Sequence, residues 1–220
     1  LFFPFYKSHP QVFLWFLAIG YYQLVTGYQR QVLASLIFLR ALNMKFFLMI
    51  TVSLASIITH KSVIILVAIG KIFRSRTSMT STFIFGLILF ILLYVTGAVF
   101  DGTVVGHFTK YYFAAEMNSN GALLRVISYL ISYFVLIRSQ GFIRDKYCFI
   151  FETMIIFSFC TVLSGATTAG DRIAIFALTS LLFIECLPKI SNLRLCMSAL
   201  PIIIMTLTWV FLSDQARLNW

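Results

Sequence analysis

Residues 82–100, TFIFGLILFILLYVTGAVF, form a run of 19 residues without a charged side chain. A helix needs about 20 apolar residues to cross the hydrocarbon core of a bilayer. The whole chain has this character, since 60% of its 220 residues are hydrophobic and 11% are charged. A soluble domain carries roughly 25% charged residues to cover its surface. The composition therefore predicts an integral membrane protein rather than a soluble domain.

Other apolar segments on both sides of this run predict an all-α, polytopic helical bundle with about eight or nine hydrophobic segments. Segments 46–59 and 61–72 are short for a full crossing. They predict a helix that is broken or re-entrant around residues 59–62, or one long tilted helix. No internal repeat or linker divides residues 1–220, which indicates a single membrane domain. The remaining apolar segments are 11–26, 31–43, 121–138, 147–163, 173–187 and 195–212.

The first residue, Leu1, is not methionine, and no secretory signal pattern follows it. We therefore expect the chain to be the C-terminal part of a longer protein. The four cysteines, at positions 148, 160, 186 and 196, lack the paired spacing of a metal or redox motif and are interpreted as packing residues. No dense group of His, Cys or carboxylate residues predicts a metal site, and no cofactor is expected.

The net charge is +10. In a soluble protein such a charge would suggest nucleic acid as the partner, but cytoplasmic loops of membrane proteins also collect Lys and Arg. We therefore expect no nucleic-acid partner. The basic loops, predicted to be cytoplasmic, lie at 40–45, 71–76, 138–146 and 189–194. The alternate segments then face outward, and they are 27–30, 59–62, 101–120, 164–172 and 213–220.

Three groups on the predicted outer side, Arg30, His60 and Arg172, are costly near a membrane and are therefore functional candidates. A guanidinium group presents a planar fork that matches phosphate oxygens. Arg30 and Arg172 also precede predicted helices, whose N-termini add positive potential. These sequence-distant residues predict a shared site for an anionic ligand.

Other polar residues have simpler interpretations. Arg125 could bind the same ligand, or its long side chain could reach the membrane surface. Glu152, near the predicted inner start of its helix, is interpreted as a surface residue. Glu185 and Lys189 are four residues apart and are interpreted as a surface pair.

Two short motifs near the start of the chain resemble the EpsG-like group of Wzy-type polysaccharide polymerases. They are GYQRQVLA at residues 27–34 and ASIITHKS at residues 55–62. Further on, DRIAIF at residues 171–176, with Leu187-Pro188 after it, looks like the family's third block, an Arg-led helix that ends at proline. The Tyr-containing loop 107–120 also lies where the family has one.

The resemblance covers roughly residues 20–190. Gln29 departs from it, because the family often has an apolar residue at that position. The family's N-terminal region, with an acidic and Tyr-rich outer loop, has no counterpart in these residues. This absence agrees with the expectation of a longer protein.

The resemblance implies a metal-independent membrane glycosyltransferase of the bacterial cytoplasmic (inner) membrane, with its active site facing the periplasm or cell exterior. Such an O-antigen polymerase joins oligosaccharide repeat units carried on undecaprenyl diphosphate into lipopolysaccharide O-antigen, capsule or exopolysaccharide. The implied partners are the lipid-linked oligosaccharide, membrane lipid and a polysaccharide chain-length regulator.

Release of a diphosphate needs a cationic clamp, and attack by a sugar hydroxyl needs a proton acceptor. His60 is predicted to be the acceptor because imidazole titrates near neutral pH. Asp101, Glu116 and Asp171 are rivals of His60 for this role, and Asp171 is the second predicted catalytic residue, although it could instead only pair with a neighbouring arginine. The predicted substrate-binding residues are Arg30, Gln31, Tyr111, Tyr112, Glu116, Arg125 and Arg172.

Three alternative functions remain. A transporter or flippase for lipid-linked oligosaccharide, or for another anion, would use the same cationic cavity without chemistry. The missing inverted repeat and the outward bias of the polar residues argue against it. An acyltransferase would need a second catalytic group beside His60. A purely structural subunit would leave Arg30, His60 and Arg172 unexplained.

Overall fold

The computed structural model describes residues 29–42, 44, 46–59, 79–99, 119, 121–140, 142–185 and 187–212, together with residues 10, 11, 14, 15 and 17. Within these residues the fold is all-α, as the sequence predicted, and contains no strand. The helices are α1 (Gln29–Ala41), α2 (Phe46–Thr59), α3 (Met79–Val99), α4 (Ala122–Ile137), α5 (Lys146–Leu163), α6 (Thr167–Leu181) and α7 (Asn192–Leu212), with a 3-10 helix at Leu187–Lys189.

Most of these helices begin and end within three residues of a predicted apolar segment, but α6 does not. The apolar pattern predicted a segment at 173–187, whereas α6 covers Thr167–Leu181. It therefore begins six residues early, inside the segment 164–172 that was predicted to face outward between two apolar segments. The reason is that Asp171 is buried in α6 with a charged partner on α4, so polar residues are stable inside this helix. Residues 60–72 lie outside the described residues, so of the predicted break at 59–62 only Thr59, the last residue of α2, is described.

Helix α5 lies at the centre of the bundle and packs against α3, α4 and α6. Its N-terminus is capped by Asp145, whose Oδ1 accepts hydrogen bonds from the backbone N–H groups of Tyr147 and Cys148, at 2.9 and 3.0 Å. Such a cap satisfies donors that have no partner within the helix. By length and composition, α5 is the one helix among the described residues that qualifies as a candidate membrane span, and most of it is buried inside the bundle.

Hydrogen bonds between helices fix their directions. Ser56 donates to the carbonyl oxygen of Ala34 at 2.6 Å, so α2 runs back along α1. Tyr147, at the start of α5, donates to the carbonyl oxygen of Leu39, near the end of α1. Helices α1, α4 and α6 therefore begin at one end of the bundle, which we call the Asp171 end. Helices α2, α3, α5 and α7 begin at the other, the Glu152 end.

Two glycines allow helices to approach closely. A Cβ atom on Gly170 would collide with Cγ2 of Val162 and would lie 2.9 Å from the carbonyl oxygen of Ser158, so α6 touches the backbone of α5. The Ser158 hydroxyl donates to the Gly170 carbonyl oxygen at 2.6 Å across this contact. A Cβ atom on Gly86 of α3 would lie 3.0 Å from the carbonyl oxygen of Thr153 on α5. Small residues thus set the spacing of α3, α5 and α6.

We expect Gly170→Ala to lower the free energy of unfolding by about 1–3 kcal/mol, because the added methyl group overpacks the α5–α6 contact. The gain in helix propensity, about 1 kcal/mol, offsets part of this cost. Gly86→Ala has more room and should cost less. Thermal unfolding of the purified variants measures both effects, and a Gly170→Ala protein as stable as the parent would contradict the close α5–α6 packing.

Candidate functional site

The starts of α1 and α6 are joined at the Asp171 end of the bundle. The side-chain nitrogen of Gln31 donates to the carbonyl oxygen of Arg172 at 2.6 Å, and Gln31 is only 2% exposed. The hydroxyl of Ser35 donates to the backbone oxygen of Gln31 at 2.7 Å. Arg30 and Arg172, which are far apart in the sequence, consequently lie at the same end of the bundle.

A buried ion pair joins α4 to α6 at the same end. Nε of Arg125 lies 2.5 Å from Oδ1 of Asp171, and Nη2 of Arg125 lies 2.9 Å from Oδ2. Arg125 is 5% exposed and Asp171 is 2% exposed. The guanidinium therefore does not reach the surface, and the interpretation that the Arg125 side chain extends to the membrane surface is wrong.

Ser119 completes this pair from the segment that leads into α4. Its hydroxyl accepts a hydrogen bond from Nη2 of Arg125 and donates one, 3.0 Å long, to Oδ2 of Asp171. Its backbone N–H donates to the Thr167 hydroxyl at 2.9 Å. We call Ser119, Arg125, Thr167 and Asp171 the Asp171 cluster. The cluster holds the start of α4 against the start of α6.

The local backbone makes this approach of Ser119 possible. Gly121, directly before α4, has a φ angle of 83°, in the left-handed region. Residues with a Cβ atom adopt this region at a cost of roughly 1–2 kcal/mol, and glycine avoids that cost. The chain therefore turns sharply enough to place Ser119 beside the guanidinium of Arg125, which lies one turn into α4.

The geometry gives Asp171 a positioning role. Within the described part of the chain, its two oxygens accept hydrogen bonds from Arg125 and from Ser119. A general base must be within hydrogen-bond reach of the proton that it removes, and these contacts of Asp171 lie inside the bundle. Arg125, 46 residues away in the sequence, is its ion-pair partner there.

Two further positively charged side chains at this end are those of Arg30 and Arg172. Arg30 is exposed and Arg172 is half-buried. The charge of Arg125 is balanced by that of Asp171. Three helices, α1, α4 and α6, also begin here, and each N-terminus carries a partial positive charge of about half an elementary charge. Among the described residues, this combination makes the Asp171 end the better candidate site for an anion.

Several predicted site residues lie outside the described part of the chain: His60, Asp101, Tyr111, Tyr112 and Glu116. Their predicted roles stay predictions. Across the residues that the structure does describe, no group of three or more His, Cys, Asp or Glu side chains could hold a metal ion.

A second buried polar cluster, at the opposite end, was missed. Glu152 is 5% exposed, so its interpretation as a surface residue is wrong. Its carboxylate forms a two-point ion pair with Arg144, in which Nε lies 3.0 Å from Oε1 and Nη2 contacts Oε2. The Tyr133 hydroxyl donates to Oε1, and Nη2 of Arg144 donates to the Thr82 hydroxyl at 3.1 Å. We call Thr82, Tyr133, Arg144 and Glu152 the Glu152 cluster.

Aromatic rings surround the Glu152 cluster. The Arg144 guanidinium lies over the ring of Phe149, 4.4 Å from its centre, and the rings of Tyr133 and Phe151 are also 4.4 Å apart. Burial of Arg144 disfavours its charged form, but the hydrogen bond and the charge of Glu152 outweigh this and raise the pKa of the guanidinium above its usual value. The available sequence signal was a carboxylate inside an apolar helix, which needs a cationic partner.

No protein-family model, curated protein or solved structure matches this chain. The resemblance to EpsG-like polymerases therefore rests on the sequence motifs alone.

We expect Asp171→Ala to lower the free energy of unfolding by about 3–5 kcal/mol, because it leaves the Arg125 charge buried without its partner. The double variant Arg125→Met/Asp171→Leu removes both charges and should recover most of this loss. Thermal or denaturant unfolding of the three proteins measures the effect. A stable Asp171→Ala protein would show that the ion pair does not hold α4 to α6.

Proposed function

We propose that this chain is part of a membrane-embedded glycosyltransferase that polymerises oligosaccharide repeat units carried on a lipid diphosphate. The observation that carries the proposal is the placement of Arg30 and Arg172 at one end of the bundle, where Gln31 fastens the start of α1 to the backbone of Arg172. Two guanidinium groups beside converging helix N-termini suit a diphosphate.

A membrane location is supported by the apolar side chains that face away from the bundle. Large apolar side chains of α3 are exposed at successive helical turns, and α4 and α7 carry similar stripes. A soluble surface rarely carries such a large continuous apolar area. Helices α3 and α7 contain 21 residues each, which corresponds to a length of about 31 Å, close to the thickness of a bilayer core. The exposed residues of α3 are Phe83, Ile84, Leu87, Ile88, Ile91, Leu92 and Val95.

The helix directions and the positions of the basic residues support an outward-facing Asp171 end. Arg40, Arg138, Lys189 and Arg194 are exposed and lie at the Glu152 end, where α1 and α4 finish and α7 begins. Lys and Arg accumulate on the cytoplasmic side of membrane proteins. The Asp171 end, with its two arginines, would then face the periplasm or cell exterior.

Single cysteines test this orientation. Ser164→Cys, at the exposed turn between α5 and α6, should react with a membrane-impermeant thiol reagent applied to intact cells. Gln140→Cys, exposed in the α4–α5 connection, should react only after the cells are opened. Native cysteines are replaced by serine in both proteins. The opposite labelling pattern would invert the orientation and remove the outer-face site.

In the proposed reaction, the hydroxyl oxygen of the acceptor sugar forms a bond to the anomeric carbon of the growing chain. The bond from this carbon to the diphosphate oxygen breaks, and the electron pair leaves with the lipid diphosphate. Arg30 and Arg172 stabilise the negative charge that develops on this leaving group. Asp171 holds Arg125 and thereby fixes α4 beside these residues. His60, outside the described residues, keeps its proposed role as acceptor of the hydroxyl proton.

The clamp is tested by Arg30→Ala and Arg172→Ala in the full-length protein. We expect each variant to lose at least about 99% of polymer formation, since removal of one preorganised oxyanion donor typically costs 10²–10³ in rate. Single lipid-linked units should still reach the outer face. Arg40→Ala and Arg194→Ala are matched controls, because both residues are exposed arginines at the other end of the bundle. Gel separation of the surface polysaccharide measures chain length.

Two results would contradict the proposal. Normal polymer from Arg30→Ala or Arg172→Ala would remove that arginine from the clamp. Units trapped on the cytoplasmic leaflet in both variants would favour transport instead.

A transporter or flippase for an anionic lipid-linked substrate is the second candidate. The Glu152 cluster favours it, because this cluster places buried polar groups at the predicted inner end, against the outward bias that the sequence suggested. A transporter needs access from both ends, and a breakable ion pair at the inner end could provide it. The cluster is closed in this structure, however, since Glu152 is engaged by Arg144 and Tyr133 and is almost fully buried.

A further inference from the structure

We propose that the Glu152 cluster closes the bundle at the end opposite Arg30 and Arg172, so that the anionic substrate reaches the arginines from one side only. This inference rests on the proposed function, because it concerns access to the diphosphate clamp. It assigns a task to four residues that the proposed chemistry does not use: Thr82, Tyr133, Arg144 and Glu152.

The Glu152 cluster joins several segments of the chain. Thr82 belongs to α3, Tyr133 to α4, Arg144 to the α4–α5 connection and Glu152 to α5. Arg144 contacts Thr82 and Glu152, and Glu152 also accepts from Tyr133. One guanidinium and one carboxylate thus hold three helices and a connecting segment together at this end.

The α4–α5 connection that carries Arg144 is itself held in place by hydrogen bonds and ring packing. Asp145, the residue after Arg144, caps α5, and its Oδ2 also accepts a hydrogen bond of 2.7 Å from the backbone N–H of Glu185, beyond the end of α6. The ring of Phe142 packs edge-on against Tyr133 at 6.2 Å. The segment 142–145 is therefore attached to α4, α5 and the chain that leaves α6.

A buried thiol lies beside the cluster. Cys148, one turn before Glu152 on the same face of α5, is fully buried. The Arg144 side chain is 28% exposed, whereas that of Glu152 is 7% exposed. The cluster therefore has an exposed side formed by Arg144 and a buried side formed by Glu152 and Cys148. Loss of the carboxylate would release Arg144 towards water and uncover the thiol.

Cys148 is a natural reporter for this closure. In the full-length protein with all other cysteines replaced by serine, inside-out membrane vesicles are treated with a membrane-impermeant methanethiosulfonate. The reagent then arrives from the cytoplasmic side. Gln140→Cys, in a chain that lacks Cys148, is the control for an exposed thiol at the same end.

We expect Cys148 of the parent protein to be protected relative to the Gln140→Cys control. In Glu152→Gln its modification should be at least about tenfold faster, because a partly buried arginine that loses its carboxylate partner favours local opening. Arg144→Met/Glu152→Leu fills the site with apolar side chains and should remain protected. Equal reactivity of Cys148 and the control in the parent, or unchanged protection in folded Glu152→Gln, would overturn the inference.

Milder variants keep the test decisive if Glu152→Gln does not fold. Thr82→Val and Tyr133→Phe each remove one hydrogen bond from the cluster and keep the ion pair. Each should accelerate the modification of Cys148 severalfold, and no acceleration in either would count against the closure.

Polymer formation in the same cells separates the two proposals. Polymer made by a protein whose Cys148 is freely reactive would refute the closure and keep the polymerase. A protected Cys148 in a chain that makes no polymer would keep the closure and refute the polymerase. If added lipid-linked oligosaccharide makes Cys148 of the parent reactive, the inner end opens during turnover, and one-sided access is wrong.

Discussion

The buried ion pair between Arg125 and Asp171 is the contact on which the candidate site depends. Two charges are removed from water, which is favourable only if their geometry is good and their remaining hydrogen bonds are satisfied. Ser119 supplies the extra contacts. The pair thus fixes the depth at which α6 lies against α4. Because Gln31 binds the carbonyl oxygen of the next residue, Arg172, the position of α1 also follows from this pair.

The two ends of the bundle use the same physical device for different purposes. Each has an Arg–carboxylate pair with a buried carboxylate and with hydroxyl groups beside it, among the residues that the structure describes. At the Asp171 end, Arg30 and Arg172 remain as additional positive charges beside three helix starts. At the Glu152 end, the pair joins three helices and a connection. One end therefore suits an anion, and the other suits closure.

The helices could largely be predicted because each one needs a continuous apolar segment, which can be recognised in the sequence without knowledge of its neighbours. A helix in this bundle needs a long apolar stretch, and the segments at 46–59 and 147–163 match α2 and α5 closely. The early start of α6 could not be predicted in this way, because Thr167 and Asp171 are stabilised by Ser119 and Arg125, which are distant in the sequence. The prediction that Glu152 lies at the surface was wrong for the same reason. Its partner Arg144 lies in the α4–α5 connection, so the spacing of residues along a helix could not reveal the pair.

Composition and apolar segments were enough to predict the helical class and the approximate helix bounds. The cost of placing charge in apolar segments also singled out polar residues that need partners. These residues are Arg30, Gln31, Arg125, Asp171 and Arg172. The pairing of Arg125 with Asp171 and of Arg144 with Glu152 became visible only in the folded bundle. A buried charge needs a partner close in space, and helix packing brings such partners together regardless of their distance in the sequence.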